Sequence, residues 1–260
     1  MMRFAASAAA LLAALQAGVG VAADASPGPR RSGFDTMSRE VRAMQEDDTL
    51  NPAMLWVQDG AALWSRAAGS ANRSCEGCHG AAATSMRGVA ARYPAFDAAA
   101  RRPVTLAERI DLCRDRHQGA PALAAESDDR LALEAYVAMQ SRGLPIAPPD
   151  DGRLEPYRAR GAERWRQRVG QLDLACAQCH DEHAGQRLAG SPIPQAHPTG
   201  YPVYRLEWQK LGSLQRRLRG CMSGVRAEPY AYGAIEWVEL ELFLAQRAAG
   251  MRVESPAVRP

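Results

Sequence analysis

Two short stretches decide the fold of this chain: Cys75-Glu76-Gly77-Cys78-His79 and Cys176-Ala177-Gln178-Cys179-His180. Both follow the pattern Cys-x-x-Cys-His, which attaches a haem covalently, because the two thiols add across the haem vinyl groups and the histidine ligates the iron. A single match can arise by chance or mark a redox pair of cysteines, but two matches in one chain leave little room for either explanation. The sequence therefore predicts a c-type cytochrome with two covalently bound haem c groups.

The first 25 residues have the layout of a secretory signal peptide. Arg3 precedes an apolar run rich in alanine and leucine that ends in small residues, so cleavage is expected after Ala23 or Ala25. A retained anchor helix is the alternative, but the run from Phe4 to Ala23 is rich in small residues and lies next to a cleavage site. We therefore expect a periplasmic protein with no membrane span in its mature form.

The charge balance excludes one class of partner. The formal net charge is +3, from 32 lysine and arginine residues against 29 aspartate and glutamate residues. An excess this small does not indicate nucleic-acid binding, which requires a concentrated basic surface. About 235 residues would remain after cleavage, which is enough for one large domain or two small ones.

The two halves of the chain repeat each other well beyond the haem motifs. Apolar residues at helical spacing predict helices in the repeated segments, and the glycines that follow suit helix C-caps. We therefore predict an all-α fold of two tandem cytochrome c-like domains. The matching segments are Gly60–Trp64 with Gly161–Trp165, Leu106–Arg114 with Leu214–Met222, and Glu134–Gly143 with Glu241–Gly250.

The repeat also predicts the domain boundaries. Residues 26–50 are charged and poorly patterned, so we expect an arm that packs on another domain or subunit. Residues 51–143 form the first cytochrome domain, and residues 153–260 form the second. The segment between them, 144–152, is dense in proline and lacks periodicity, which is typical of a linker.

Two further cysteines, Cys113 and Cys221, occupy equivalent places in the repeat. Because the iron of an electron carrier usually has a distal protein ligand, we predict that each cysteine ligates the haem iron of its own half, opposite His79 or His180. A disulfide between the two cysteines is the alternative, since an oxidising compartment permits it. Other distal ligands remain open: Met86, Met139, Met222 and His183. We expect His117, His183 and His197 to be surface or loop residues.

The residues before Cys221 favour a chemical role for the second site. Leu211 to Gly220 has a helical pattern rich in arginine, and Arg217 stands one turn before Cys221 on the same face. A guanidinium there can hold a small sulfur oxyanion by paired hydrogen bonds while the sulfur end meets the cysteine. We expect this arginine beside the second haem alone. A solvated basic face is an equal alternative, because two more arginines stand nearby.

The chain resembles the SoxA family at Arg217-Leu-Arg-Gly-Cys221-Met-Ser-Gly-Val-Arg226-Ala-Glu-Pro229-Tyr. The combination of Arg-x-x-x-Cys with a following Arg-Ala-Glu-Pro-like stretch is specific to that family. The resemblance covers nearly the whole mature chain, since it includes both cytochrome c-like halves. The residues Cys75, Cys78, His79 and Cys113 place the sequence with the dihaem type.

This resemblance implies the catalytic subunit of a thiosulfate-oxidising SoxAX complex, an L-cysteine S-thiosulfotransferase. Such an enzyme joins thiosulfate to a cysteine of the carrier protein SoxYZ and passes two electrons to haem. By the family pattern, His180 and Cys221 ligate the catalytic haem, Cys221 is often a persulfide, and Arg217 binds substrate. The first haem, with ligands His79 and Cys113, is outside the catalytic site. A SoxX-type subunit brings a further haem.

Other functions stay open at the level of sequence. A dihaem thiosulfate dehydrogenase would couple two thiosulfates to tetrathionate without a carrier protein. A plain electron-transfer cytochrome would use both cysteines only to adjust the reduction potential. A dihaem peroxidase is disfavoured, because two irons blocked by cysteine offer no peroxide site.

Overall fold

The computed structural model describes residues 29–260, so the predicted signal peptide at residues 1–25 lies outside the described part of the chain. Two pairs of packed helices form the centre of the fold. Within residues 29–260 no helix is long and apolar enough to cross a membrane. The α-helices are α1 (Arg39–Glu46), α2 (Ala53–Ser65), α3 (Cys75–His79), α4 (Ala82–Ser85), α5 (Leu106–Cys113), α6 (Asp128–Met139), α7 (Glu155–Arg166), α8 (Leu214–Gly224) and α9 (Ile235–Arg247).

The predicted repeat is visible in how the long helices pack. Helix α2 crosses α6 in the first half, and α7 crosses α9 in the second. Each crossing is close because a glycine lies at the contact: a Cβ on Gly60 would stand 2.2 Å from the Ala132 carbonyl oxygen, and one on Gly161 would stand 2.1 Å from that of Glu239. The repeated glycines therefore let each helix pair approach backbone to backbone.

Short strands make the predicted all-α class only an approximation. The antiparallel pair β1 (Ala95–Asp97) and β2 (Arg102–Val104) leads into α5. The antiparallel pair β5 (Val203–Arg205) and β6 (Lys210–Gly212) leads into α8 in the same way. A small hairpin of β3 (Arg187–Leu188) and β4 (Ser191–Pro192) lies between the second haem motif and β5, and β7 (Ala257–Arg259) pairs in parallel with β5.

Side-chain caps determine where the two cysteine-bearing helices begin. The Thr105 hydroxyl accepts the amide of Glu108, and the Glu108 carboxylate in turn accepts the Thr105 amide, which is a complete capping box at α5. The Ser213 hydroxyl accepts the amide of Arg216 at the start of α8. Both helices therefore begin directly after a strand, at equivalent places in the two halves.

The arm and the predicted linker are both held by the second half. In the arm, α1 lies against β7, and the Gln45 side chain accepts the Val258 amide at 3.0 Å. In the segment 144–152, Ile146 is buried, and its amide donates to the Met251 carbonyl at 2.8 Å. Both segments therefore contribute contacts between the halves in addition to connecting them.

Candidate functional site

The second haem motif is half-buried. Its histidine is on a short π-helical turn, Gln178–Glu182, and its Nδ1 lies 2.7 Å from the carbonyl oxygen of Pro194. A carbonyl can only accept, so Nδ1 carries the proton and Nε2 is left free to bind a metal. Burial lowers the pKa of His180, which keeps its imidazole neutral. These are the properties required of an axial haem ligand.

A tryptophan four residues after the crossing glycine supports each haem histidine. The ring of Trp165 lies 5.7 Å from that of His180, and its Nε1 donates to Asp181 at 2.6 Å. Arg247 donates to the other oxygen of Asp181 at 2.6 Å, so the turn that carries His180 is anchored from two sides. This tryptophan is part of the sequence repeat, but the repeat alone predicts no role for it; its fixed spacing from the haem motif is the signal that points to one.

The first haem motif has the same support in a more open setting. It forms the short helix α3, whose N-cap Ser74 accepts the amide of Gly77 at 2.9 Å. The Trp64 ring lies 5.8 Å from that of His79, and its Nε1 donates to the Gly80 carbonyl at 3.1 Å. His79 is exposed, whereas His180 is half-buried. The two motifs therefore share an architecture but differ in access to solvent.

The structure brings each of the two remaining cysteines to the haem motif of its own half. Burial raises the pKa of Cys75, and the nearby Cys113 thiol raises it further. Burial also raises the pKa of Cys176 to about 11, and the nearby Cys221 thiol contributes to that rise. All six cysteines are free thiols, so the alternative of a Cys113–Cys221 disulfide is not what the structure has.

The other candidate distal ligands are distributed differently. Met86 packs in the apolar cluster that includes Cys75, whereas Met139 packs in a separate cluster. Met222 is half-buried beside Cys221, and His183 and His117 are exposed. His197 lies in a loop as expected, but it is buried, and desolvation lowers its pKa to about 4. Apart from Met86 and Met222, these residues have no feature that favours ligation.

Arg217 lies beside the second motif. It is half-buried on α8 and contributes to the lowered pKa of His180, after burial, which is the larger cause. Burial raises the pKa of Tyr201, and both Arg217 and Cys221 act on the same hydroxyl. The imidazole, the thiol and the guanidinium therefore share one neighbourhood with Tyr201, a residue that the sequence analysis did not single out. Nothing in the composition around Tyr201 marked it.

The expectation that such an arginine stands beside the second cysteine alone is wrong. Arg109 occupies the equivalent place on α5, four residues before Cys113. Its Nη1 lies 2.7 Å from the carboxylate of Asp97, a side chain that is 3% exposed. Arg217 makes no ion pair with any carboxylate in residues 29–260. The halves differ in what the arginine contacts.

Comparisons with known proteins show the family of this chain. The L-cysteine S-thiosulfotransferase subunit SoxA of Pseudaminobacter salicylatoxidans is 38% identical over 229 residues, which are 88% of this chain and 80% of that protein. The protein of the same name from Rhodovulum sulfidophilum is 35% identical with the same coverage. A sequence profile described as the SoxA/TsdA cytochrome c domain matches residues 59–146 and 160–253. The chain belongs to the SoxA family. The predicted resemblance is thereby confirmed.

A solved structure supports the same assignment for the fold. The crystal structure of SoxXA from P. pantotrophus matches with a TM-score of 0.85 and 31% identity, over 89% of this chain and 87% of that one. As a member of the SoxA family with a cytochrome c domain, the chain binds haem c covalently. The free thiols of both motifs and the oriented imidazole of His180 fit this cofactor.

Proposed function

We propose that this chain is the dihaem catalytic subunit of a periplasmic L-cysteine S-thiosulfotransferase. It joins thiosulfate to a cysteine of the carrier protein SoxYZ, and its second half is the catalytic one. The observation that carries the proposal is the position of Arg217, which stands one turn before Cys221, beside His180, and makes no ion pair with a carboxylate within residues 29–260. A half-buried guanidinium of this kind suits a small divalent anion.

The reaction balances as an oxidation that releases two electrons. The S–H bond of the carrier cysteine breaks, a bond forms between its sulfur and the outer sulfur of thiosulfate, and one proton and two electrons leave. When bound, haem supplies one-electron acceptors and an iron that holds a cysteine as thiolate. Arg217 binds the sulfonate end of thiosulfate and offsets the cost of removing a dianion from water. Cys221 faces the outer sulfur.

The residues divide between two haem sites. Cys176 and Cys179 would attach the second haem, and His180 and Cys221 would hold its iron. The four equivalent residues serve the first haem, which is outside the catalytic site: Cys75, Cys78, His79 and Cys113. Equal placement of the two cysteine-bearing helices after equivalent strands supports this division.

A SoxX-type cytochrome subunit is the proposed partner. The support is the match to a SoxXA crystal structure over 89% of this chain. The partner would bring a further haem that accepts electrons from the catalytic site. We also propose that the predicted signal peptide directs the protein to the periplasm, which is the oxidising compartment in which haem attachment motifs of this type are loaded.

The decisive experiment uses the haem-loaded protein together with its SoxX-type partner. Thiosulfate, SoxYZ and an artificial electron acceptor are supplied, and intact mass spectrometry follows both proteins. We expect two haems on this chain and a mass increment of one thiosulfate group on the carrier cysteine. The variants Cys221→Ser and Arg217→Gln should lose the increment, while Cys113→Ser should retain it.

Two outcomes would overturn the proposal. Efficient formation of tetrathionate without SoxYZ would identify a thiosulfate dehydrogenase instead. Transfer that persists in Cys221→Ser and Arg217→Gln, with only the haem reduction potential altered, would identify an electron carrier in which the cysteine adjusts potential. If Cys113→Ser keeps the activity of the wild type, the catalytic half is the second one, because this variant changes the residue equivalent to Cys221 in the first half.

A further inference from the structure

The strand pair that leads into each cysteine-bearing helix has the same register in both halves. Ala95 pairs with Val104, and Asp97 pairs with Arg102. In the second half, every residue number is larger by 108: Val203 pairs with Gly212, and Arg205 pairs with Lys210. The same offset relates the helix caps Thr105 and Ser213 and the cysteines Cys113 and Cys221. Positions in this segment can therefore be compared one by one.

Taken as a set, three of these positions carry opposite net charge in the two halves, because two of the three change from a carboxylate to an arginine. In the first half they carry two carboxylates and one arginine, with a formal sum of −1, whereas in the second half all three are arginines, with a sum of +3. We call the second set the arginine trio. The equivalent pairs are Asp97 with Arg205, Glu108 with Arg216, and Arg109 with Arg217.

In the first half the charges neutralise each other. The Asp97 carboxylate is 3% exposed and contacts Arg109 Nη1 at 2.7 Å and Arg116 Nη1 at 3.0 Å. Glu108 contacts Arg102 at 2.9 Å. The positive charge of an arginine that is already paired in this way is offset, so it attracts a dianion less strongly. The first half is therefore the poorer site for a ligand of that charge.

In the second half the charges are not neutralised internally. Arg205 is only 15% exposed, and the one carboxylate it contacts within residues 29–260 is that of Glu207, which is 56% exposed, at 2.9 Å. In this part of the chain the buried Nε of Arg205 has no hydrogen-bond partner. The guanidiniums of Arg205 and Arg216 both lie over the Trp208 ring, 5.2 Å and 4.1 Å from its centre. A buried donor without a partner is costly unless a ligand accepts it.

Arg205 belongs to the neighbourhood of the reactive cysteine. Burial raises the pKa of Tyr201, and Arg217, Cys221 and Arg205 all act on that hydroxyl. Burial opposes the lowered pKa of Glu207, and Arg205, the Trp208 hydrogen bond and, least, Arg217 produce the lowering. In the first half the equivalent side chains, at positions 97 and 109, are in contact. Arg205 and Arg217 both lie near Tyr201 and Glu207, and Cys221 lies near Tyr201.

We propose that Arg205 is a second substrate-binding residue, which holds the sulfonate end of thiosulfate together with Arg217. This inference rests on the proposed function. The free Nε and an adjacent Nη of Arg205 form a fork that matches two sulfonate oxygens, and Arg217 approaches from α8. Two cations balance the two charges of the anion, and its outer sulfur is left to face Cys221. Exposed Glu207 orients Arg205 from the solvent side.

The test compares three variants of the haem-loaded protein with its SoxX-type partner. Arg205→Gln removes the proposed contact, Arg205→Lys keeps the charge without the fork, and Lys210→Gln is the matched control. Lys210 pairs with position 205 across the strands and is half-exposed in an ion pair with Asp128, so its loss also removes one positive charge from the same sheet. Three quantities are measured: KM and kcat for thiosulfate with SoxYZ, equilibrium binding of thiosulfate by calorimetry, and the reduction potential of the second haem.

We expect Arg205→Gln to raise KM and the dissociation constant of thiosulfate by about tenfold, as the loss of one charge-assisted contact predicts. Arg205→Lys should give values between those of the wild type and Arg205→Gln. Lys210→Gln should change KM and the dissociation constant by less than about twofold. Binding equal in Arg205→Gln and Lys210→Gln would overturn the inference and leave the proposed function standing. An altered haem potential or haem content with unchanged thiosulfate binding would also overturn it, since Arg205 would then serve the haem. A wild-type protein that neither binds nor transfers thiosulfate would overturn the proposed function itself.

Discussion

At the scale of single residues, the arginine at one position of the repeat has a different role in each half, depending on the side chain next to it. Arg109 and Arg217 stand at the same place on equivalent helices, four residues before a cysteine. Asp97 neutralises the first, and the equivalent position beside the second holds Arg205. Because a paired guanidinium contributes to stability and an unpaired one can bind an anion, the neighbour decides which role the arginine takes.

We predict that Asp97→Asn destabilises the first half. Hydrogen bonds from Arg116 and from the Ala100 amide, with the charge of Arg109, hold the pKa of Asp97 well below its usual range. The carboxylate therefore stabilises the fold above the ordinary aspartate pKa of about 4, and this contribution is lost as the pH falls below it. At pH 7 the free energy of unfolding should drop by about 2 kcal/mol, because two partly exposed cations lose the charge of their buried partner. Chemical denaturation of the haem-loaded protein measures this.

The control for that prediction is an exposed ion pair. Asp129 and Arg66 lie 3.7 Å apart, and their side chains are 58% and 66% exposed. Asp129→Asn should therefore cost less than about 1 kcal/mol. The difference between Asp97→Asn and wild type should also shrink as the pH is lowered towards 3. A constant difference across that range would contradict the role assigned to the charged carboxylate.

At the scale of elements, the two helix crossings position the haem histidines. Each crossing has a glycine at the contact and a tryptophan one turn later that lies against the histidine ring. The close approach of α7 to α9 places Trp165 in the core and Arg247 of α9 against Asp181. Because the glycine, the tryptophan and the haem motif follow one another at fixed spacing, the packing of each helix pair sets the orientation of the haem histidine.

We predict that Gly161→Ala disrupts the second crossing. The added Cβ would stand 2.1 Å from the Glu239 carbonyl oxygen and 2.9 Å from the Cβ of Phe243, and backbone cannot move aside as a flexible side chain can. We expect a loss of about 3 kcal/mol in unfolding free energy and a lower haem content at the second motif. Gly152→Ala is the control, because nothing lies within 4 Å of its added Cβ. Thermal unfolding followed at the haem absorption band compares the two, and equal midpoints would contradict the prediction.

At the scale of the whole molecule, the two halves meet around a pair of repeat-equivalent carboxyls. Glu134 on α6 and Glu241 on α9 both line a cavity that residues from each half enclose. Burial raises the pKa of Glu134 to about 7 and that of Glu241 to about 8. Gln215 donates to Glu241 at 3.1 Å, and Arg130 offsets part of the shift of both. The other groups that act on the pair are Glu108, Asp111 and Glu126.

This pair predicts that stability falls as the pH rises. The folded state holds protons that the unfolded state releases near the ordinary glutamate pKa, so the stabilisation is complete below about pH 4 and is lost as the pH rises towards 8. Glu241→Gln keeps the acceptor for Gln215 and removes one ionisation. Between pH 5 and pH 9 the free energy of unfolding of the variant should fall by about 2 kcal/mol less than that of the wild type.

Denaturation at several pH values measures this effect. Glu155→Gln is the control, because that carboxylate is 70% exposed even though it pairs with Arg158. It should follow the pH dependence of the wild type. A Glu241→Gln variant that shows the wild-type slope would mean that solvent in the cavity already screens the pair.

The sequence by itself determined the features that depend on covalent chemistry and short-range pattern. The motifs at Cys75 and Cys176 predict haem attachment because porphyrin geometry allows one order and spacing of thiols and imidazole. Helical spacing predicts α9 over Ile235–Arg247, the bounds that the structure has. The domain limits and the distal ligation by Cys113 and Cys221 stay predictions.

Only the tertiary structure decided how the two halves differ. Strands of two or three residues have no pattern of their own, because their partner segments supply the hydrogen bonds that define them. The sequence places Arg109 and Arg217 alike, but Asp97 lies twelve residues before Arg109, and its contact depends on a strand turning back beside the helix. Whether two charged side chains form an ion pair depends on their distance in space and not on their distance in the sequence. That is why the charge of the second site became visible only once the strand registers put Arg205 at the position equivalent to Asp97.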